Sequence, residues 1–320
     1  RNNYVSCHGG LKIFRKEGDS YVASFFGLSG SGKSTLTHAK HDDKYDIEVL
    51  HDDAFVISVE DGSSVALEPS YFDKTNDYPA GHREQDYFVT VQNCGVTLDE
   101  NGRKVLVTED IRNGNGRTIK SRYSTPNRVD KIKEPIQSIF WIMKDDALPP
   151  LVKITDPRLA SILGCTLMTK RSNAENTGAG ANLDALVIEP YANPFRVYPL
   201  VEDYEKFKAL FDKGVDCYII NTGDYLGKKV TKEVSLGVIE TVVDGKAHFE
   251  LFGGLPGMEY LPVEGYEVPD MNGEYAELIR DRMQFRLDYL KAFNDANPEH
   301  QIPQDALESI KTIERFIDVL

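Results

Sequence analysis

Two apolar runs, LKIF and SYVASFF, flank the polar turn RKEGD, a pattern that predicts a hairpin. The second strand runs straight into a glycine-rich loop, and the residues after it predict a helix from Lys33 to His41. DIEVLHDD reads as a short strand ending in two acids. AFVISVEDGSSVALE and VTLDENGRKVLVTED each set a D-G or N-G turn between apolar runs, so both predict hairpins. IQSIFWIM predicts a buried strand, closed by Pro149 and Pro150. In LVEDYEKFKALFDKG, Val201, Tyr204, Phe207, Leu210 and Phe211 share one helical face, and Gly214 marks the stop. VDCYIIN then predicts a strand, and two further helices are expected over Glu274 to Asn294 and Pro303 to Asp318. Strands outnumber crossover helices in the first half. The expected class is therefore mixed α/β, with a mixed sheet, hairpins and flanking helices. The polar stretch from Ile111 to Arg128, rich in Gly, Asn, Arg and Ser, reads as a long functional loop.

Composition narrows the function. The net charge of -14 over 320 residues disfavours phosphate backbones and anionic lipid as partners, so neither nucleic acid nor membrane is expected. A local anion pocket built from backbone N–H groups remains compatible with that charge. Cys7, Cys94, Cys165 and Cys217 form neither a C-x-x-C pair nor a disulfide scaffold, which suits buried thiols in a reducing, cytoplasmic compartment. No apolar run approaches a membrane span and no signal-peptide pattern is present.

Gly27-Leu28-Ser29-Gly30-Ser31-Gly32-Lys33-Ser34, followed by Thr35, fits G-x-x-x-x-G-K-[ST]. Its glycines allow a tight fold whose N–H groups face phosphates, and the following helix adds a favourable dipole. Lys33 is placed to reach the β- and γ-phosphates of a nucleotide, and the Ser34 hydroxyl to bind a magnesium ion. Asp52 and Asp53 follow at a strand end, where a P-loop protein needs an acid to hold or orient metal. Adjacent strand residues point apart, so the two acids cannot act by the same route. His8, beside Gly9 and Gly10, is one of several candidate histidines with His38, His41, His51 and His82, and spacing does not choose among them.

FFGLSGSGKST followed by LHDDAF resembles the nucleotide site of ATP-dependent phosphoenolpyruvate carboxykinase, where the loop reads close to F-F-G-L-S-G-T-G-K-T-T and the second motif is G-D-D. The likeness runs from about Val5 to about Val268. ALEPSYFDKTND resembles E-G-G-C-Y-A-K-T, with Tyr71 and Lys74 retained, and CYIINTGDYLGKK and LPVEGYEVP follow in the family's order. The resemblance implies that family's P-loop fold and its reaction, oxaloacetate and ATP to phosphoenolpyruvate, ADP and carbon dioxide. It implies a transition metal, manganese, on His8 and Asp53, with Asp52 beside them and Ser34 on magnesium. It places Ser29 near the acceptor and an arginine on the transferring phosphate, best matched by Arg117 in NGNGR and next by Arg122.

The sequence departs from the family in three places. The family carries a substrate-binding arginine and a metal-binding lysine in an N-terminal domain before this point. The 320 residues are accordingly expected to be its C-terminal nucleotide-binding part, a fragment or a diverged short form. Such a piece is expected to bind nucleotide without decarboxylating oxaloacetate, because unoriented substrate forfeits about 7–11 kcal/mol of barrier lowering. The family's nucleotide-contacting arginine falls at Glu233 in KEVSLGV, which leaves ATP against GTP preference open. Asp224 stands where the family often has an aromatic residue. Two rival readings are a related P-loop kinase acting on a serine or small molecule, and a nucleotide-binding module without catalysis.

Overall fold

The computed structural model describes residues 3–28, 30–68, 70–74, 95–106, 117–121, 127–170 and 185–319, with 70–74 and 117–121 described by backbone alone. The first hairpin is as the pattern predicts: β2 (Gly10–Lys16) pairs antiparallel with β3 (Asp19–Phe26). On its other edge β2 pairs with β4 (Asp46–His51). β3 then pairs in parallel with Ser138–Met143, which pairs in parallel with Asp216–Asn221. Leu151–Ile154, Met258–Tyr260 and Glu250–Leu251 extend the sheet to eight strands, all antiparallel to their neighbours. A second sheet of four strands holds β1 (Tyr4–His8), β5 (Ala54–Ser58), β6 (Ser64–Ala66) and Lys131–Ile132. The β5–β6 and Val96–Leu98/Lys104–Leu106 hairpins match their turn signals.

The central strands are buried on both faces, so they read as apolar runs. Val22, Phe26, Ile139, Trp141, Cys217 and Ile219 join one core; Ala23, Phe25, Phe140, Ile142, Tyr218 and Ile220 join the other. The first core packs against the helices Pro157–Cys165, Leu200–Asp212, Gly273–Ala296 and Gln304–Asp318. The second packs against α1 (Lys33–His38) and the helix Lys232–Val243, and it carries a stacked row in which Phe25, Phe140 and Tyr218 sit 5.1 and 4.9 Å apart. The result is a sheet between two helical layers, with the carboxyl ends of three parallel strands opening at one edge.

Three expectations are corrected. The helix after the glycine loop stops at His38, not His41, because Ala39 turns extended and His41–Asp43 form a separate short turn at positive φ. The cause is a buried lysine. Lys12 Nζ donates to the carbonyls of Leu36 at 2.6 Å and Ala39 at 3.1 Å, and to His41 Nε2 at 2.9 Å, so three donors meet three acceptors. Burial pulls Lys12 well below its ordinary value, and burial and the Lys12 charge pull His41 down to about 4. The neutral ring then donates from Nδ1 to Glu240 at 2.9 Å, tying the end of α1 to the helix Lys232–Val243. Second, part of the Ile111–Arg128 stretch is strand. Arg117–Ser121 pairs antiparallel with Ser70–Lys74, setting Arg117 opposite Lys74, and Arg128 bridges Val49. Third, the helix Pro157–Cys165 was not anticipated. Its Asp156 cap accepts from the N–H groups of Arg158 and Leu159, and every residue from Leu159 to Cys165 is buried, so the segment reads as a short apolar run.

Gly9 and Gly10 carry the chain from the small sheet into the large one. A Cβ on Gly9 would lie 2.8 Å from the Phe25 carbonyl oxygen, and one on Gly10 1.7 Å from Thr37 Oγ1. Thr37 is buried and its hydroxyl is bound to Lys33 O at 2.8 Å, so it has no room to yield. Gly10→Ala is expected to destabilise the fold by about 1–3 kcal/mol through overpacking. Gly237, in mid-helix with open space around its Cα, should gain about 0.5–1 kcal/mol on replacement by Ala. Urea denaturation of both variants checks the pair: midpoints moving in the same direction would contradict this packing.

Candidate functional site

The loop after β3 turns on its glycines. Gly30 and Gly32 adopt positive φ, at 74° and 102°. A Cβ on Gly27 would meet Ser31 Oγ at 2.3 Å. Ser31 N–H donates to Leu28 O at 3.0 Å, closing the loop. Two residues from the neighbouring parallel strands pin it from outside. Thr222 Oγ1, just past Asp216–Asn221, donates to Ser31 O at 2.6 Å, and Lys144 Nζ, just past Ser138–Met143, donates to Gly30 O at 2.7 Å. The carboxyl ends of three adjacent parallel strands thus converge, the usual place for a ligand in such sheets. Gly32 caps α1 without a side-chain acceptor, and Ser34 and Thr35 are exposed on its first turn. Ser29 lies outside the described residues.

β1 delivers His8 to the same place. His8 Nε2 lies 3.1 Å from Lys33 Nζ and 3.1 Å from Asp53 Oδ1. The other ring nitrogen, Nδ1, donates to the Ala192 carbonyl, so in the neutral ring Nε2 carries the lone pair. That lone pair suits the Lys33 ammonium. Against an ionised Asp53 it is repulsive unless a cation or proton lies between, so this pair of groups suits a cation. Among the described residues, no three or more His, Cys, Asp and Glu side chains form a metal cage. His8 and Asp53 together offer one nitrogen and one carboxylate.

The two acids face different partners. Asp52 Oδ2 sits 2.9 Å from His38 Nε2 at the end of α1. Burial works to raise its carboxyl, but His38, Arg128 and His51 outweigh that and hold it well below the usual carboxylate range. Asp53 is held low chiefly by His8, which can donate from Nε2 to the carboxylate only when the ring is protonated, against burial, with Lys33 adding to the effect. Its backbone is fixed too: Asp53 N–H donates to His51 Nδ1 at 3.0 Å, and Gly9 N–H donates to Asp53 O at 2.8 Å. Nearby Glu68 is pushed up by burial and by Asp53 and Asp52.

Of the other candidate histidines, His38 joins the site through Asp52, His51 supports it from beneath, and His41 belongs to the Lys12 network. His82 and Arg122 lie outside the described residues, and Arg117 is described by backbone alone. Lys144, Thr222, His38 and the Ala192 carbonyl complete the arrangement; His38 is a candidate by residue type and Thr222 lies in the matched CYIINTGDYLGKK stretch, while no local pattern singles out Lys144 or Ala192. Glu233 occupies the first turn of its helix, where its own N–H and Thr231, the N-cap, lower its carboxyl. That is a capping arrangement, and it accounts for an acid there without a nucleotide.

A family model described as phosphoenolpyruvate carboxykinase matches residues 1–270. The chain is also similar to the phosphoenolpyruvate carboxykinase (ATP) of Aeropyrum pernix, 23% identical in an alignment 317 positions long that takes in 88% of this chain. The match spans 60% of that relative's length. With that family model matching residues 1–270 of its 320, the chain belongs to the phosphoenolpyruvate carboxykinase family.

Proposed function

We propose that this protein is an ATP- and metal-dependent carboxy-lyase that transfers a phosphoryl group. It would convert oxaloacetate and ATP to phosphoenolpyruvate, ADP and carbon dioxide in gluconeogenesis. The observation that carries the proposal is one nitrogen. His8 Nε2 stands 3.1 Å from both the P-loop lysine and Asp53, so a phosphate cradle and a cation-seeking pair meet at one point. The backbone from Gly27 to Thr35 would cradle the phosphates, with Lys33 on the β/γ oxygens and Ser34 on ATP-bound magnesium. His8 and Asp53 would hold manganese, Asp52 would act beside them, and Arg117 would meet the γ-phosphate. When bound, the metals supply positive charge to phosphate and enolate oxygens.

Loss of one carboxylate as carbon dioxide leaves its electron pair in the enolate of pyruvate. The enolate oxygen then bonds to the γ-phosphorus as the bond to the ADP oxygen breaks. Lys33 needs no proton exchange for this, only a fixed position, which the Thr222 and Lys144 contacts to the loop support. Cys7, Cys165 and Cys217 are buried free thiols, in keeping with a cytoplasmic setting. No helix among the described residues is long and apolar enough to cross a membrane.

Lys33→Ala is expected to weaken ATP binding by about 1.5–3 kcal/mol, roughly ten- to a hundredfold, and to remove phosphoryl transfer with the melting temperature unchanged. Titration with ATP and GTP plus an oxaloacetate-to-phosphoenolpyruvate assay on the intact natural protein checks this. Full transfer by the variant would refute the assignment of Lys33. ATP binding with transfer to a serine or small molecule, and none to pyruvate enolate, would favour a related kinase; binding without any transfer would favour a non-catalytic module.

Manganese gives a separate test. His8→Ala and Asp53→Ala should each weaken manganese binding at least about tenfold, since each removes half of the protein's donor pair. Calorimetry on the two variants reads this directly, and unchanged affinity in both would remove His8 and Asp53 as ligands.

A further inference from the structure

We propose that the turn at Tyr191–Ala192 is a positioning device for His8. Its carbonyl holds the ring proton on Nδ1 and aims the Nε2 lone pair at the space between Lys33 and Asp53. Tyr191 is the positioning residue. The role assigned to that lone pair rests on the manganese reading above.

The turn is unusual in itself. Tyr191 and Ala192 both adopt the left-handed region, with φ of 55° and 52°, and neither is glycine. Side chains rarely hold that conformation without support, and such strain collects where a structure uses it. The support here is dense. The Tyr191 ring stacks on Phe207 at 4.5 Å with 12° between planes and meets the edge of Trp141 at 5.7 Å. Its hydroxyl donates to Ser161 O at 3.0 Å and lies 3.1 Å from Ser161 Oγ, which donates to Tyr204 O at 2.7 Å. Gly164 makes the socket possible, because a Cβ there would fall 2.8 Å from Tyr191 Cε1. The backbone is closed on both sides, Ala192 N–H donating to Glu189 O and Asn193 N–H to Pro190 O, each at 3.0 Å.

This anchoring has a direct consequence at His8. The Ala192 carbonyl receives Nδ1–H at 2.5 Å, and the Phe195 ring stands edge-on to the imidazole at 5.3 Å. With one nitrogen committed to a rigid carbonyl, the ring can neither flip nor exchange tautomers freely, and only Nε2 can serve a cation. Partners of this kind orient the ligands they touch and raise their basicity. The helices Pro157–Cys165 and Leu200–Asp212, which supply Ser161, Gly164 and Phe207, therefore reach the site through one backbone oxygen.

The test uses metal-free protein with 15N-labelled histidine, at a pH where imidazole is neutral. His8 signals are assigned by their loss in His8→Asn, and two-bond proton–nitrogen correlations report the tautomer. The expected result is a single Nδ1-protonated form in the wild type. In Tyr191→Leu that form should give way to an averaged one, with manganese affinity about tenfold lower and magnesium–ATP affinity unchanged. Tyr191→Phe, which keeps the stacked ring, should lie between. Nε2 protonation in the wild type overturns the proposal without any variant. So does a folded Tyr191→Leu protein with unchanged tautomer and unchanged manganese affinity. A tautomer that shifts as expected in protein that never binds manganese would uphold the positioning role and refute the metal reading.

Discussion

A ring nitrogen between an ammonium and a carboxylate organises this structure. His8 Nε2 comes from β1, Lys33 Nζ from the start of α1, and Asp53 Oδ1 from the bend after β4. Three elements can meet within hydrogen-bond distance only if their backbones approach closely. Gly9 lies against Phe25 and Phe26, and Gly10 against Thr37 of α1. A side chain at either position would push β1 away from the strand and helix that carry the loop. The short segment SCHGG therefore does two jobs: it supplies the imidazole, and it makes room for the imidazole to reach the loop.

Charge is arranged locally against the grain of the whole chain. The protein carries -14 overall, yet Lys33 and Lys144 both lie at the glycine loop. Asp52 and Asp53 stay ionised there because histidines, Arg128 and Lys33 offset the cost of burial. Under the proposed function, phosphate would bring negative charge to a place where cations and N–H groups are already set, so little reorganisation is needed. The fixed carbonyls of Gly30 and Ser31 serve the same end, since they hold the loop open from outside.

What could be read from the sequence was local. The P-loop spacing, the first hairpin and the amphipathic helix Leu200–Asp212 depend on neighbours in sequence, and they appear in the structure with small shifts. The early end of α1 did not, because Lys12 lies 24 residues before Leu36 and looks like an ordinary strand residue. Lys144, the Ala192 carbonyl and the tie of His38 to Asp52 were hidden for the same reason: each acts on a partner that only the fold brings near. The acid pair shows the middle case. Its place at a strand end was legible from the residues, the pairing of Asp53 with His8 only from the family resemblance, and the bend after His51 is what turns the two acids to different partners.

The central claim is that phosphate cradle and cation pair form one site. Crystals grown with manganese and a non-hydrolysable ATP analogue test it by anomalous diffraction at the manganese edge. The account predicts a peak bonded to His8 Nε2 and Asp53 Oδ1, with the analogue's terminal phosphate beside Lys33. An ordered analogue in the loop with no manganese peak at His8 and Asp53 would contradict it.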